Sequence, residues 1–187
     1  MTEREKMERG ELFDPMSDPE MDAARRRCAA LCHEYNQTAP WEEERRRALL
    51  EQMIGRLGKG AVFTPPFWCD YGFNISVGEG FYSNHNVYFT DGVAITAGDH
   101  VLIGPNCCLT TAEHALDPGQ RAAGLEYARP IRIGNNVWIG AGCTVLAGAE
   151  IGDNSVIAAG SVVKGKIPPN VVAAGVPCRV LRELEEK

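Results

Sequence analysis

IRIGNNVWIGAGCTVLAGAEIGDNSVIAAGSVV, residues 131–163, carries an aliphatic side chain at every sixth position: Ile133, Ile139, Val145, Ile151, Ile157 and Val163. A period of six is neither the 3.6 of a helix nor the 2 of a simple strand, and self-similarity of this kind marks a repeat architecture. Three positions after the aliphatic residues stand Asn136, Gly142, Gly148, Asn154 and Gly160, residue types that tolerate the left-handed backbone of a sharp corner. One position further on come Val137, Cys143, Ala149, Ser155 and Ser161, all small enough to sit where the walls of a narrow prism converge. Each hexad therefore reads as one short strand and one turn. Three hexads complete a triangular coil, and stacked coils bury a continuous aliphatic column.

The same pattern extends upstream, with Val77, Ser83 and Phe89 leading hexads whose fourth residues are Gly80, Asn86 and Gly92. The next register starts at Ala97 and Ile103, with His100 and Asn106 at the corners, so two extra residues between Phe89 and Ala97 predict a local irregularity. Between 111 and 130 the repeat disappears into TAEHALDPGQRAAGLEYARP, a loop too long to be idle in a compact fold. Before the prism, Thr2 with Glu5 forms a capping-box pattern, Asp18-Pro19 fits a cap followed by a first-turn proline, and Pro40 precedes a charged helix with an apolar stripe at Leu49, Leu50, Met53, Ile54 and Leu57. After it, Val180, Leu181 and Leu184 predict a short capping helix. The expected organisation is a helical segment over 1–57, a β-helix over 58–175 with the inserted loop 111–130, and a C-terminal helix or tail over 176–187.

A net charge of -6 argues against a nucleic-acid footprint, which needs clustered Lys and Arg. The runs Arg25-Arg26-Arg27 and Arg45-Arg46-Arg47 are interleaved with acids and read as solvated helix faces. Apolar stretches are broken every few residues by Gly, Asn or Pro and the start of the chain is highly charged, so neither a membrane span nor a secretory leader is expected. The seven cysteines include no CxxC and read as reduced thiols in a cytoplasmic protein, serving mainly as small core residues.

The hexads, together with FWCDYGFNI (67–75), IRIGNNVWIGAG (131–142), IGDNSVIAAGSVV (151–163) and IPPNVVAAGVPCRV (167–180), resemble the maltose and galactoside O-acetyltransferases over essentially the whole chain. The N-terminal EREKMERGELFDPMSDPEM resembles the helical segment that precedes the repeat in that family. The resemblance implies a left-handed parallel β-helix, a choice the hexads do not make and one that opposes the usual right-handed crossover. It also implies a homotrimer with active sites between subunits, acetyl-CoA as donor and a sugar-like hydroxyl as acceptor, with no metal required.

Within the inserted loop the family's catalytic histidine falls on His114, and acetyl transfer from a thioester to an alcohol needs a base of this type near neutral pH. By resemblance, the Ala141 amide stabilises the oxyanion and Asn84 contacts both donor and acceptor. Asp70, Asp91 and Glu126 are acceptor-side carboxylates. Ala159, Lys164 (or Lys166), Arg179 and Arg182 bind CoA, for whose phosphates arginine's planar fork is well suited. The galactoside-type branch carries a carboxylate where this chain has Gly92, so the maltose-type branch is expected, with a maltose- or glucose-like acceptor. His33 and His100 read as structural, His85 divides between packing and substrate contact, and Trp138 packs or shapes the CoA channel.

Other readings are an acetyltransferase for serine, a xenobiotic or an oligosaccharide, and a non-catalytic scaffold. A scaffold needs none of His114, Asn84 and the tail arginines. A γ-type carbonic anhydrase uses the same prism, but its zinc ligands do not match the spacing of His85, His100 and His114.

Overall fold

The computed structural model describes residues 1–185. Its centre is a parallel β-helix of about six coils with three faces. The first face stacks Arg56–Leu57, Ile75–Val77, Ile95–Ala97, Ile131–Ile133, Glu150–Ile151 and Lys166–Ile167. The second stacks Val62–Phe63, Tyr82–Ser83, Leu102–Ile103, Trp138–Ile139, Val156–Ile157 and Val171–Gly175, and the third Phe67–Cys69, Val87–Thr90, Cys108–Thr110, Thr144–Val145 and Val162–Val163. The hexad residues Ile139, Val145, Ile157 and Val163 are fully buried, and each is worth about 1.5–3 kcal/mol of hydrophobic stabilisation.

The corners follow the predicted residue types. Asn136, Asn154 and Asn170 hold φ of 55°, 59° and 57°, and their amides form a ladder, Asn136 donating to Asn154 at 3.0 Å and Asn154 to Asn170 at 2.8 Å. His100 occupies the same corner with φ 56°, which is the structural role expected of it.

Coil length changes at one corner only, where the third face returns to the first. Leu57, Val77 and Ala97 stack in register 20 residues apart, and Ala97 stacks directly on Ile133 although 36 residues separate them. The two extra residues between Phe89 and Ala97 and the inserted loop thus leave the prism at the same edge. The loop itself is ordered. Ala112–His114 pairs antiparallel with Glu126–Ala128, and a short helix, Pro118–Ala122, capped by Asp117, sits at its tip.

Three helices precede the coil: α1 (Glu3–Glu8), α2 (Pro19–Gln37) and α3 (Glu43–Met53). The Thr2–Glu5 capping box forms in both directions, and the Asp18 carboxylate accepts the N–H groups of Glu20 and Met21. Pro40 does not open α3, which starts three residues later without a side-chain cap. Helix α2 lays Cys28, Cys32 and Tyr35 against the coil, where the Tyr35 hydroxyl donates to the Phe63 carbonyl; Leu49, Leu50 and Met53 of α3 join the same core. The first coil strand, Arg56–Leu57, lies inside the stretch expected to be helical to 57.

The C-terminal helix expected within 176–187 is replaced by a strand, Cys178–Glu183, folded antiparallel onto Val171–Gly175. The last coil leaves a row of unpaired peptide groups, and a returning strand satisfies it where a helix cannot. Gly175, at φ 104°, makes the reversal. Residues 186 and 187 of the expected helix lie outside the described residues.

Candidate active site

The corner of variable length builds a cavity of about 530 Å³, within the range of small-molecule sites. Its walls combine coil residues Asp70, Tyr71 and Thr90, loop residues His114, Gly124 and Glu126, and Phe13, Met16 and Arg25 from the N-terminal segment. Phe13 is tied to the loop by two backbone hydrogen bonds with Glu126, both 3.0 Å.

His114 ends one hairpin strand directly opposite Glu126. Its Nδ1 lies 3.6 Å from Glu126 Oε1, too long for a hydrogen bond yet close enough to attract an imidazolium. That leaves Nε2 free to exchange a proton. Burial pushes the Glu126 carboxyl above its ordinary value, and the facing imidazole opposes the shift. Asp70 is likewise raised by burial, offset by the Tyr88 hydroxyl, which donates to its Oδ1 at 2.6 Å. The exposed His114 ring also borders a second cavity, of about 460 Å³, together with Lys164, Tyr127 and Arg129. Lys166 instead pairs with Glu150 on the first face at 2.9 Å.

Asp91 corrects the expectation of an acceptor-side carboxylate, because it is fully buried and absent from the cavity wall. Its Oδ1 accepts the N–H groups of Asp70 and Tyr71, each at 2.9 Å, so it shapes the floor from beneath. Oδ2 has no hydrogen-bond partner among the described residues, and burial pushes the carboxyl up to about 7.

The remaining predicted residues lie along the edge between the second and third faces. Asn84 is on the second coil, Ala141 on the fourth, Ala159 on the fifth, and Arg179 opposite Ala174 beyond the sixth. With five rungs of about 4.8 Å between their strands, Asn84 and Arg179 are separated by roughly 24 Å along the axis. Arg182, opposite Val172, is exposed further along the same terminal strand.

The Gly140 and Gly142 amides donate to Ile157 and Pro105 at 2.7 and 2.8 Å, but that of Ala141 makes no hydrogen bond among the described residues and stands on an exposed turn. Glycine is required beneath it, since a Cβ on Gly104 would meet the Ala141 nitrogen at 2.6 Å. Asn84 Oδ1 accepts the His85 N–H at 2.7 Å, and the exposed His85 ring bonds the Pro65 carbonyl, which fixes its orientation beside Asn84.

Thus His114, Glu126 and Asp70 come together on one edge, while Asn84, Ala141, Ala159 and Arg179 run down another, with the third face between them. Sequence reasoning missed Arg25, Phe13 and Met16. Arg25 belonged to a run read as solvent-facing, yet its side chain is 24% exposed where that of Arg26 is 80%.

The maltose acetyltransferase hexapeptide capping motif matches residues 6–58, and the bacterial transferase hexapeptide (six repeats) matches residues 130–165. Galactoside O-acetyltransferase of Escherichia coli is 45% identical over all of this chain and 91% of its own length. A solved galactoside acetyltransferase in complex with coenzyme A superposes with a TM-score of 0.96 at 44% identity, covering 99% of this chain and 92% of that one. A maltose O-acetyltransferase from Clostridium difficile gives the same TM-score and identity, covering 100% and 99%. In sequence and in fold, the chain belongs to the family of acetyl-CoA-dependent galactoside and maltose O-acetyltransferases.

Proposed function

We propose that the protein moves the acetyl group of acetyl-CoA to a hydroxyl of a maltose- or glucose-like sugar, with His114 as general base, at sites completed by neighbouring copies of the chain. Its standing as an acetyltransferase follows from its family. The observation that carries the finer reading is the cavity in which His114 faces Glu126 and Asp70, because clustered carboxylates and a half-open wall suit a polyhydroxylated acceptor.

His114 Nε2 takes the acceptor proton, and Glu126 stabilises the resulting imidazolium across 3.6 Å. The alkoxide attacks the thioester carbonyl, whose developing oxyanion is met by the free Ala141 amide. Amide donors of this kind are worth about 2.7–4 kcal/mol. Collapse expels CoA thiolate, which recovers the proton from His114. Ala159, Lys164, Arg179 and Arg182 hold the carrier.

Base and oxyanion donor occupy opposite edges of one face, so a single chain cannot bring them to one carbonyl. A second copy supplies the missing edge, and repeating that head-to-tail contact closes a ring. The outward residues support a contact seam on the second face. Val62, Tyr82, Leu102, Trp138, Val156 and Val172 make the second face apolar, whereas Arg56, Ser76, Thr96, Arg132, Glu150 and Lys166 make the first polar. Seven free cysteines and no helix among the described residues able to cross a membrane fit a cytoplasmic setting.

The test follows thiol release from acetyl-CoA with maltose, glucose, galactosides, serine and chloramphenicol, using wild type and His114→Ala with oligomeric state checked by sedimentation. A sugar-driven rate that falls on the order of 10²–10⁴-fold in the variant is expected. An unchanged rate removes His114 as base, and turnover only with a non-sugar overturns the acceptor class.

A further inference from the structure

Three of the seven cysteines meet in one place that catalysis does not use. Cys28 and Cys32 lie one turn apart on α2 and face Cys69, the last residue of the Phe67–Cys69 strand. The Cys69 Sγ is 3.4 Å from that of Cys28 and 3.8 Å from that of Cys32, and all three sulfurs lie within 4.8 Å of one another. A fourth sulfur joins them, the Met53 thioether, 3.4 Å from Cys32 Sγ. All four residues are buried. Metal–thiolate bonds of about 2.3 Å give tetrahedral edges of about 3.8 Å, the spacing at which Cys69 meets Cys28 and Cys32 and at which Cys32 meets Met53.

We propose that Cys28, Cys32, Cys69 and Met53 form a binding site for a soft monovalent metal ion, copper(I), clamped between α2 and the coil. Thioether and thiolate donors together select copper(I) among the common ions. Charge points the same way. A buried site favours a neutral complex, and one thiolate with one monovalent cation gives it, whereas three thiolates around a divalent ion leave an uncompensated negative charge.

On binding, the Cys32 S–H bond is replaced by a Cu–S bond and the proton leaves to solvent, with no change of oxidation state. The ion would fasten α2, which carries Arg25, to the strand that leads into Asp70, and so hold two walls of the acceptor cavity together. Acetyl transfer does not require it.

The test loads the protein anaerobically with copper(I)–glutathione, both folded and during refolding, and challenges it with a copper(I) chelator. One copper(I) retained per chain and a raised melting temperature are expected. Cys32→Ser should abolish retention, Met53→Leu should weaken it by no less than the roughly tenfold that loss of a supporting group costs a metal site, and Cys108→Ser, outside the cluster, should leave it unchanged. Acetyl transfer by Met53→Leu reports that the variant is folded. Failure to retain copper by either loading route, or retention indifferent to Cys32 and Met53, overturns the site. Preferential uptake of zinc overturns the monovalent assignment.

Discussion

Replacing Asp91 by Asn should reverse part of the protein's dependence on pH. In the folded chain the Asp91 carboxyl is fully buried, with Oδ1 accepting two backbone N–H groups and Oδ2 unpaired. Burial pushes it from an ordinary 3.8 up to about 7. The folded state therefore keeps a proton that the unfolded chain releases, and stability falls as pH rises from about 4 to about 7, then levels off. A shift of about three units at roughly 1.4 kcal/mol each gives a penalty of about 4 kcal/mol above neutrality, in slope about 1.4 kcal/mol per pH unit. Asparagine preserves the size and the acceptor oxygen but cannot ionise. Its amide hydrogens need partners, a cost of about 1–3 kcal/mol that does not vary with pH. The measurement is urea denaturation of both proteins at one protein concentration across this pH window, scored as the difference in unfolding free energy. Asp70 and Glu126 titrate in both and largely cancel. The variant should gain on wild type steadily as pH rises; a flat difference refutes the ionisation argument.

Trp138→Glu, on the apolar second face, should give monomers in sedimentation and abolish acetyl transfer, whereas Arg132→Glu on the polar first face should leave the assembly intact; persistence of the oligomer in the first variant refutes the interface. Gly104→Ala forces a Cβ to 2.6 Å from the Ala141 nitrogen, so thermal denaturation should reveal a loss of about 1–3 kcal/mol and kcat should fall more than KM rises. Asp18→Ala removes the cap of α2 at a cost of about 0.5–2 kcal/mol in chemical denaturation, and because α2 carries Arg25 it should also raise KM for the acceptor.

The coil was legible because hexads state their own geometry. Ile133 to Val163 recur at a spacing that only a short strand and a turn can use, and Asn136 or Gly142 mark where the turn falls. His114 stands out as the single histidine of the one long interruption, and the structure places it in the cavity wall. The cavity's other walls were not, since Arg25, Phe13 and Met16 approach His114 across roughly a hundred residues of chain, and no local pattern records that meeting. Asp91 and Asp70 carry the same carboxyl in similar contexts, and only burial separates a floor support from a wall. The terminal strand failed for a related reason. Val180 and Leu184 have helical spacing, but an open coil edge outweighs a weak local preference.

The return corner, from the third face to the first, has a consequence for how such a protein diversifies. Val77 stacks on Ala97 across 20 residues and Ala97 on Ile133 across 36, in the same register, and closing a loop twice as long costs only about 0.6 kcal/mol more. The loop that carries His114 and Glu126 into the cavity wall hangs from that corner. The opposite edge has no such latitude, because Gly104 and Gly140 hold successive turns at distances a single methyl group would break. A lineage built on this prism can reshape the cavity by rewriting one hinge of variable length, while the opposite edge stays fixed by the packing of the coil itself.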